Sequence, residues 1–168
     1  MLLPKSSPYV SGEVSIFDTL VGAGEEKSSV TLPFQLHAFL VGCLVEHMRD
    51  VGIVHHSVSL DFLCSATKLG EQGNVLLKRT GDEALLLAGL FPERALRLHV
   101  SSRYFRFMGQ AAYANLAAKL QASERPERGE FYDAVVEHFH FLVKVLNATR
   151  ARPETEWGSF QKFRASLQ

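Results

Sequence analysis

With only two cysteines, one tryptophan and no net formal charge in 168 residues, the chain excludes several classes of protein at once. Cys43 and Cys64 cannot build a disulfide framework, and their apolar surroundings suit buried, reduced thiols. Overall neutrality removes the chain-wide attraction that draws basic proteins to nucleic acid or anionic lipid. The richest apolar run, residues 36–45, is far shorter than a membrane span and contains His37. The first residues, Met-Leu-Leu-Pro-Lys-Ser-Ser-Pro, lack the apolar centre of a secretion signal, so a cytoplasmic protein without membrane partners is expected.

What the chain does have is core-forming material and an uneven distribution of charge. Hydrophobic residues make up 46% of it, and twelve phenylalanines supply large side chains for a single interior. Residues 1–71 carry four basic and eight acidic side chains, whereas residues 72–110 carry six basic and three acidic. The basic excess therefore sits in the middle of the sequence.

Residues 1–31 are rich in Gly, Ser and Pro and read as a partly ordered arm, with 14–21 as one short anchored element. From residue 32 to 168 the pattern predicts one helical domain. Pro33 suits a helix start, and Leu36, Leu40, Leu44, Met48 and Val51 recur at helical spacing until Gly52. A shorter helix is expected over 59–69, ended by Gly70. Another segment begins near Gly73 or Asn74 and meets Thr80.

Thr80-Gly-Asp-Glu83 has capping-box spacing, which predicts a new helix from Gly81 to about Phe91, with Pro92 as its stop. Ser101 or Ser102 can cap the following helix, whose Phe105, Met108, Ala112 and Leu116 share one side, with Gly109 and Tyr113 beside them. A last long helix is predicted over 130–149, with Phe131, Val135, Phe139, Leu142 and Leu146 inward. Trp157, Phe160 and Phe163 suggest a short terminal helix docking back onto the body. The expected fold is all-α, an irregular bundle of five to six helices with a loosely structured N-terminal arm.

The candidate chemistry is thin. Residues 22–29, Gly-Ala-Gly-Glu-Glu-Lys-Ser-Ser, resemble a phosphate loop, but the two required glycine positions hold Glu26 and Val21. Glu137 and His140 have di-iron spacing, yet a second such motif is missing and both residues fall on the solvated face with Asp133, Lys144 and Asn147. Cys43 and His47, one turn apart, could join Cys64 and His55 or His56 in a mixed zinc site. Their Cys-x-x-x-His spacing lies outside the strong zinc patterns, so no metal and no cofactor are expected. Nothing marks the same pair as nucleophile and base, and no catalytic residue is assigned.

The basic cluster carries more information. Arg94, Arg97, His99, Arg103 and Arg106 flank a helix junction, with Tyr104, Phe105 and Phe107 interleaved. Arginines beside aromatics can anchor a protein interface, hold a phosphate or stack on bases. The plainer expectation is that they pair with Asp82, Glu83 and Glu93 on adjacent helices while the aromatics fill the core.

Two stretches of this region carry a resemblance: residues 81–93, Gly-Asp-Glu-Ala-Leu-Leu-Leu-Ala-Gly-Leu-Phe-Pro-Glu, and residues 100–113, Val-Ser-Ser-Arg-Tyr-Phe-Arg-Phe-Met-Gly-Gln-Ala-Ala-Tyr. They resemble a family of uncharacterised bacterial proteins with a Gly-Asp-x-x-Leu-x-x-x-Gly-Phe/Leu-Phe-Pro element followed by a tyrosine-rich helix. Phe105 stands where that pattern has a second tyrosine. The resemblance implies a small helical bacterial protein and transfers no activity, cofactor or catalytic residue.

Taken together, these observations favour a non-catalytic interaction or regulatory module that binds another protein or a second copy of itself, as a homodimer. The binding residues would be Asp82, Arg94, Arg97, Arg103, Tyr104, Arg106 and Tyr113. A small-anion or metabolite site near Gly81, Asp82, Arg103, Tyr104 and Tyr113 is the alternative, with an enzyme as one form of it. Nucleic-acid binding through Arg94–Arg106 ranks last.

Overall fold

A computed structural model describes residues 8–47, 62, 68, 70–101, 103–123 and 125–150. Among these residues there are seven helices and no strand: α1 (Pro8–Ser28), α2 (Phe34–His47), α3 (Gly70–Leu90), α4 (Glu93–Arg97), α5 (Tyr104–Gln121), α6 (Pro126–Glu137) and α7 (Phe139–Thr149). The all-α expectation holds, with more helices than the five to six expected. The elements expected over 59–69 and around Trp157, Phe160 and Phe163, together with Cys64, His55 and His56, lie outside the described residues.

The largest correction is α1. A segment read as a loose arm forms a 21-residue helix that packs along α7 and α2, burying Phe17 and Val21. Of its glycines, Gly24 serves packing, while Gly12 and Gly22 face open space. A β-carbon on Gly24 would lie 2.7 Å from the Val145 carbonyl oxygen and 2.8 Å from the Thr149 methyl, so only glycine lets α1 approach α7 this closely. The end of α1 also carries no glycine signal. Ser29 adopts the left-handed conformation (φ 53°), while the amides of Ser29 and Val30 donate to the carbonyls of Glu26 and Glu25.

The connection to α2 is held by one carboxylate. Glu25 accepts from the Leu32 amide at 2.7 Å and from His37 Nδ1 at 2.7 Å, and His37 Nε2 meets Asp18 at 3.0 Å. Pro33 then opens α2 as expected, its carbonyl accepting from the Leu36 and His37 amides. The apolar stripe of α2 is buried at Leu36, Leu40 and Leu44.

Helix α3 is the axis of the bundle. It runs unbroken through Thr80 and Gly81, so the capping-box spacing there starts nothing, and the Thr80 hydroxyl is buried without a hydrogen-bond partner among the described residues. The reason is tertiary. Every residue from Thr80 to Leu90 is buried, α3 packs along α5 and α7, and a helix enclosed on all sides overrides a local start signal. Phe91 and Pro92 end it as expected.

Helix α4 closes on His99 in the left-handed conformation (φ 54°), with the His99 and Val100 amides donating to the Leu96 and Ala95 carbonyls. The next helix starts at Tyr104 with no side-chain cap, and Ser101 contributes only its carbonyl, to the Tyr104 amide. Phe105, Met108, Ala112 and Leu116 are buried as expected. The expected 130–149 helix is two, α6 and α7, broken at His138. Of the residues expected inward, Val135, Phe139, Leu142 and Leu146 are each at most 1% exposed, whereas Phe131 is half-buried against the core.

Two predictions follow from α1 and α2. Gly24→Ala should lower stability by about 1–3 kcal/mol through overpacking, whereas Gly42→Ala, whose added methyl meets open space, should raise it by about 0.5–1 kcal/mol; opposite shifts in denaturant midpoint check this. The second concerns His37. Partial burial disfavours its charged ring, but the hydrogen bonds and negative charge of Glu25 and Asp18 outweigh that and raise its pKa above 6.5. A raised folded-state value makes this contribution complete below the unfolded value and removes it as pH rises through the folded one. The stability difference between the wild type and His37→Gln should therefore be larger at about pH 5.5 than at about pH 9.

Candidate functional site

The chemically densest point is the carboxylate of Asp82, fully buried on α3. Three helices aim donors at it. From α2, His47 Nε2 reaches Oδ2 at 3.1 Å. From α3 itself, Lys78 lies one turn back and donates from Nζ to the same oxygen at 2.6 Å. From α5, the Tyr113 hydroxyl donates to Oδ1 at 2.6 Å. Lys78 also donates to Glu46 at 2.7 Å, so one ammonium joins a buried and an exposed carboxylate.

Sequence positions explain the convergence. Cys43 and His47 share one face of α2, as Lys78 and Asp82 do on α3, because each pair is four residues apart. Gly81 makes room for the third donor. A β-carbon there would lie 2.5 Å from the Tyr113 ring, so the missing side chain lets the phenol lie flat on α3 and extend its hydroxyl to Asp82. Tyr132 of α6 stacks on Tyr113 (centroids 5.8 Å apart, planes at 21°), and Phe39 of α2 meets it edge-on at 5.9 Å.

These surroundings fix the protonation states. Burial alone raises the Asp82 pKa, but the His47 hydrogen bond, the Lys78 charge and the Lys78 and Tyr113 hydrogen bonds outweigh it and hold the carboxyl below 3.8. Burial and the adjacent Asp82 charge push both the Cys43 thiol and the Tyr113 phenol well above their ordinary values. The carboxylate is thus a saturated acceptor, and the thiol and phenol keep their protons. The set contains the residue types of a nucleophile–base–acid triad without an activated nucleophile.

Glu46, His47 and Asp82 also place one potential metal-ligand atom each within 4.8 Å of one another. The Lys78 ammonium already bridges the two carboxylates, so a divalent ion has to displace a resident cation. The wider zinc set with Cys64, His55 or His56 falls outside the described residues.

The seven residues expected to form one binding site divide into two groups. Asp82 and Tyr113 meet in the interior. Tyr104 is half-buried beside the Phe105 ring, Arg94 is half-buried with its Nε unpartnered among the described residues, and Arg97, Arg103 and Arg106 are exposed. The single anion pocket expected at Gly81, Asp82, Arg103, Tyr104 and Tyr113 is not assembled, because the Tyr113 ring fills the space beside Gly81.

The expected pairing of the cluster's arginines with Asp82, Glu83 and Glu93 is also absent among the described residues. Asp82 is taken by Lys78, Glu83 by Arg79 at 2.8 Å, and Glu93 by Arg150 at 2.8 Å. No ion pair with a described residue involves Arg97, Arg103 or Arg106. Beside them Leu96, Leu98 and Phe107 are 75%, 48% and 70% exposed.

Sequence reasoning did not place Lys78, Glu46 or Tyr132 at the centre. The available signal was the Lys78–Asp82 spacing beside a mid-helix glycine. Two surface cavities lie elsewhere. One of about 420 Å³ is lined by Glu71, Asn74, Leu120, Ser123, Arg125 and Arg128, and one of about 400 Å³ lies between α1 and α2. No protein family, curated protein or solved structure matches this chain.

Removing the charge should expose its structural weight. Asp82→Asn leaves Lys78 without its buried partner and should lower stability by about 3–5 kcal/mol. Tyr113→Phe removes one bond to a charged acceptor and should lower it by about 1.5–3 kcal/mol. Chemical denaturation of the two variants checks both values, and an unchanged midpoint for Asp82→Asn contradicts the assignment.

Proposed function

We propose that this chain is a non-catalytic interaction module whose docking surface is the α4–α5 junction. The observation that carries this reading is the coincidence of three exposed arginines that make no ion pair with a described residue with exposed Leu96, Leu98 and Phe107, all within residues 96–107. Arginine and large apolar side chains together are the composition of interface anchors, because both release poorly packed water while the guanidinium supplies directional bonds. The state of the Asp82 cluster supports the non-catalytic half, since its proton donors are occupied and its thiol and phenol are protonated. The partner suited to this surface is a protein that presents carboxylates around an apolar patch.

Nucleic acid suits it less. Phosphate binding alone gives no use for Leu96 and Leu98, and the chain has no net positive charge to add long-range attraction. A second reading, small-anion binding, is supported by Arg125 and Arg128 beside the cavity between α3, α5 and α6 rather than by the junction.

Fluorescence anisotropy with a labelled amphipathic Glu/Leu peptide and a labelled oligonucleotide of equal charge, beside thermal denaturation with free phosphate, separates the readings. The peptide should bind, Phe107→Ser and Arg103→Glu should each weaken it at least several-fold, and raised salt should weaken it further. Equal oligonucleotide affinity untouched by Phe107→Ser, or no peptide binding at all, contradicts the proposal. A rise in melting temperature with phosphate that Arg128→Ala removes supports the second reading.

A further inference from the structure

We infer that the α4–α5 junction docks into the groove between α1 and α2 of a second copy of this chain. The inference rests on the junction being a docking surface and adds the identity of its partner. The groove is a cavity of about 400 Å³ with apolar walls from Val14, Phe34, Val41 and Val45, and its titratable lining is Asp18, Glu46 and the His37 ring that Asp18 pairs with. Phe34 stands 84% exposed at its edge.

Both acids remain available. Asp18 is 66% exposed and gives one oxygen to His37, while Glu46 is 60% exposed and gives one oxygen to Lys78. The second oxygen of each has no hydrogen-bond partner among the described residues. Arg103 and Arg106 offer the complementary guanidinium groups, and carboxylate–guanidinium pairing is directional as well as attractive.

The distribution of exposed apolar groups points the same way. Eight large hydrophobic side chains are exposed among the described residues, and five belong to these two patches: Val14 and Phe34 at the groove, Leu96, Leu98 and Phe107 at the junction. One patch carries acid and the other base, matching the excess of acid before residue 72 and of base after it. A chain holding both halves of a complementary pair meets its partner in every other copy. Contact between two unlike patches is head-to-tail, so it closes into a pair or ring where the rotation between copies allows and otherwise extends with concentration.

Gly42 supplies a clean probe, because it lines the groove on α2 and a β-carbon there meets nothing within 4 Å. Gly42→Arg therefore fills the groove with bulk and positive charge without disturbing the helix, and an unchanged helical circular dichroism spectrum verifies that. Light scattering on the full chain at low salt, over a concentration series, reads the result. The wild type should show a mass above the monomer that rises with concentration and falls with added salt. Gly42→Arg alone, or Arg103→Glu with Arg106→Glu, should return it to monomer. A one-to-one mixture of those two variants retains one intact groove and one intact junction, and should regain part of the association. A wild type that is monomeric throughout, or an association that Gly42→Arg leaves intact, overturns the inference. If the monomer still binds the Glu/Leu peptide, the junction remains a docking surface for another protein. If it neither associates nor binds the peptide, both readings fail.

Discussion

One buried charge sets the terms for the interior of this protein. The Asp82 carboxylate has no exposure to solvent, and a carboxylate so placed is tolerable only when its lone pairs are met by well-placed donors. Those donors come from residues 47, 78 and 113, on α2, α3 and α5, so satisfying Asp82 fixes how three helices sit against one another. The constraint spreads outward. Tyr113 reaches Asp82 only because position 81 is glycine, and its other face stacks on Tyr132, which brings in α6. A pattern that looks like an active site in composition is, in geometry, a closed hydrogen-bonded junction.

The same closure leaves nearby basic residues without the acids beside them in sequence. Asp82 and Glu83 would have been natural partners for the arginines of the α4–α5 junction, but each faces a basic residue one turn earlier in its own helix, while Glu93 turns to Arg150. Three arginines are left facing solvent beside large apolar side chains. The same sequence region thus contributes two unlike things: an interior junction from Asp82 and Tyr113, and an outward face from Arg97, Arg103, Arg106 and Phe107.

The parts of the fold legible in the sequence were those where one face of a helix is apolar. Leu36, Leu40 and Leu44 on α2, and Phe105, Met108, Ala112 and Leu116 on α5, are buried in the expected register, and Pro33 and Pro92 mark boundaries where their missing amide hydrogens require them. The parts that escaped were decided by contacts distant in sequence. Gly24 reads as a loop residue until α7 is seen pressed against it. Thr80 and Glu83 have the spacing of a helix start, yet stand in the middle of α3 because burial on all sides outweighs one cap. The ends of α1 and α4 rest on Ser29 and His99 in left-handed conformations, where a glycine would have announced them. Asp82 and Tyr113 were recognisable as partners, but their roles were not. Whether an aspartate opens onto solvent or is sealed under a tyrosine ring depends on α5 crossing α3 at Gly81, a long-range fact with no local signature.

The central claim is that Asp82 is an ionised, fully compensated carboxylate inside the fold. NMR titration of its side-chain carboxyl carbon tests this most directly. The resonance should stay in the carboxylate position as pH falls below the ordinary value of 3.8, for as long as the fold persists. Protonation of Asp82 in the folded protein at or above that value would contradict it and reopen the site as a candidate acid–base centre.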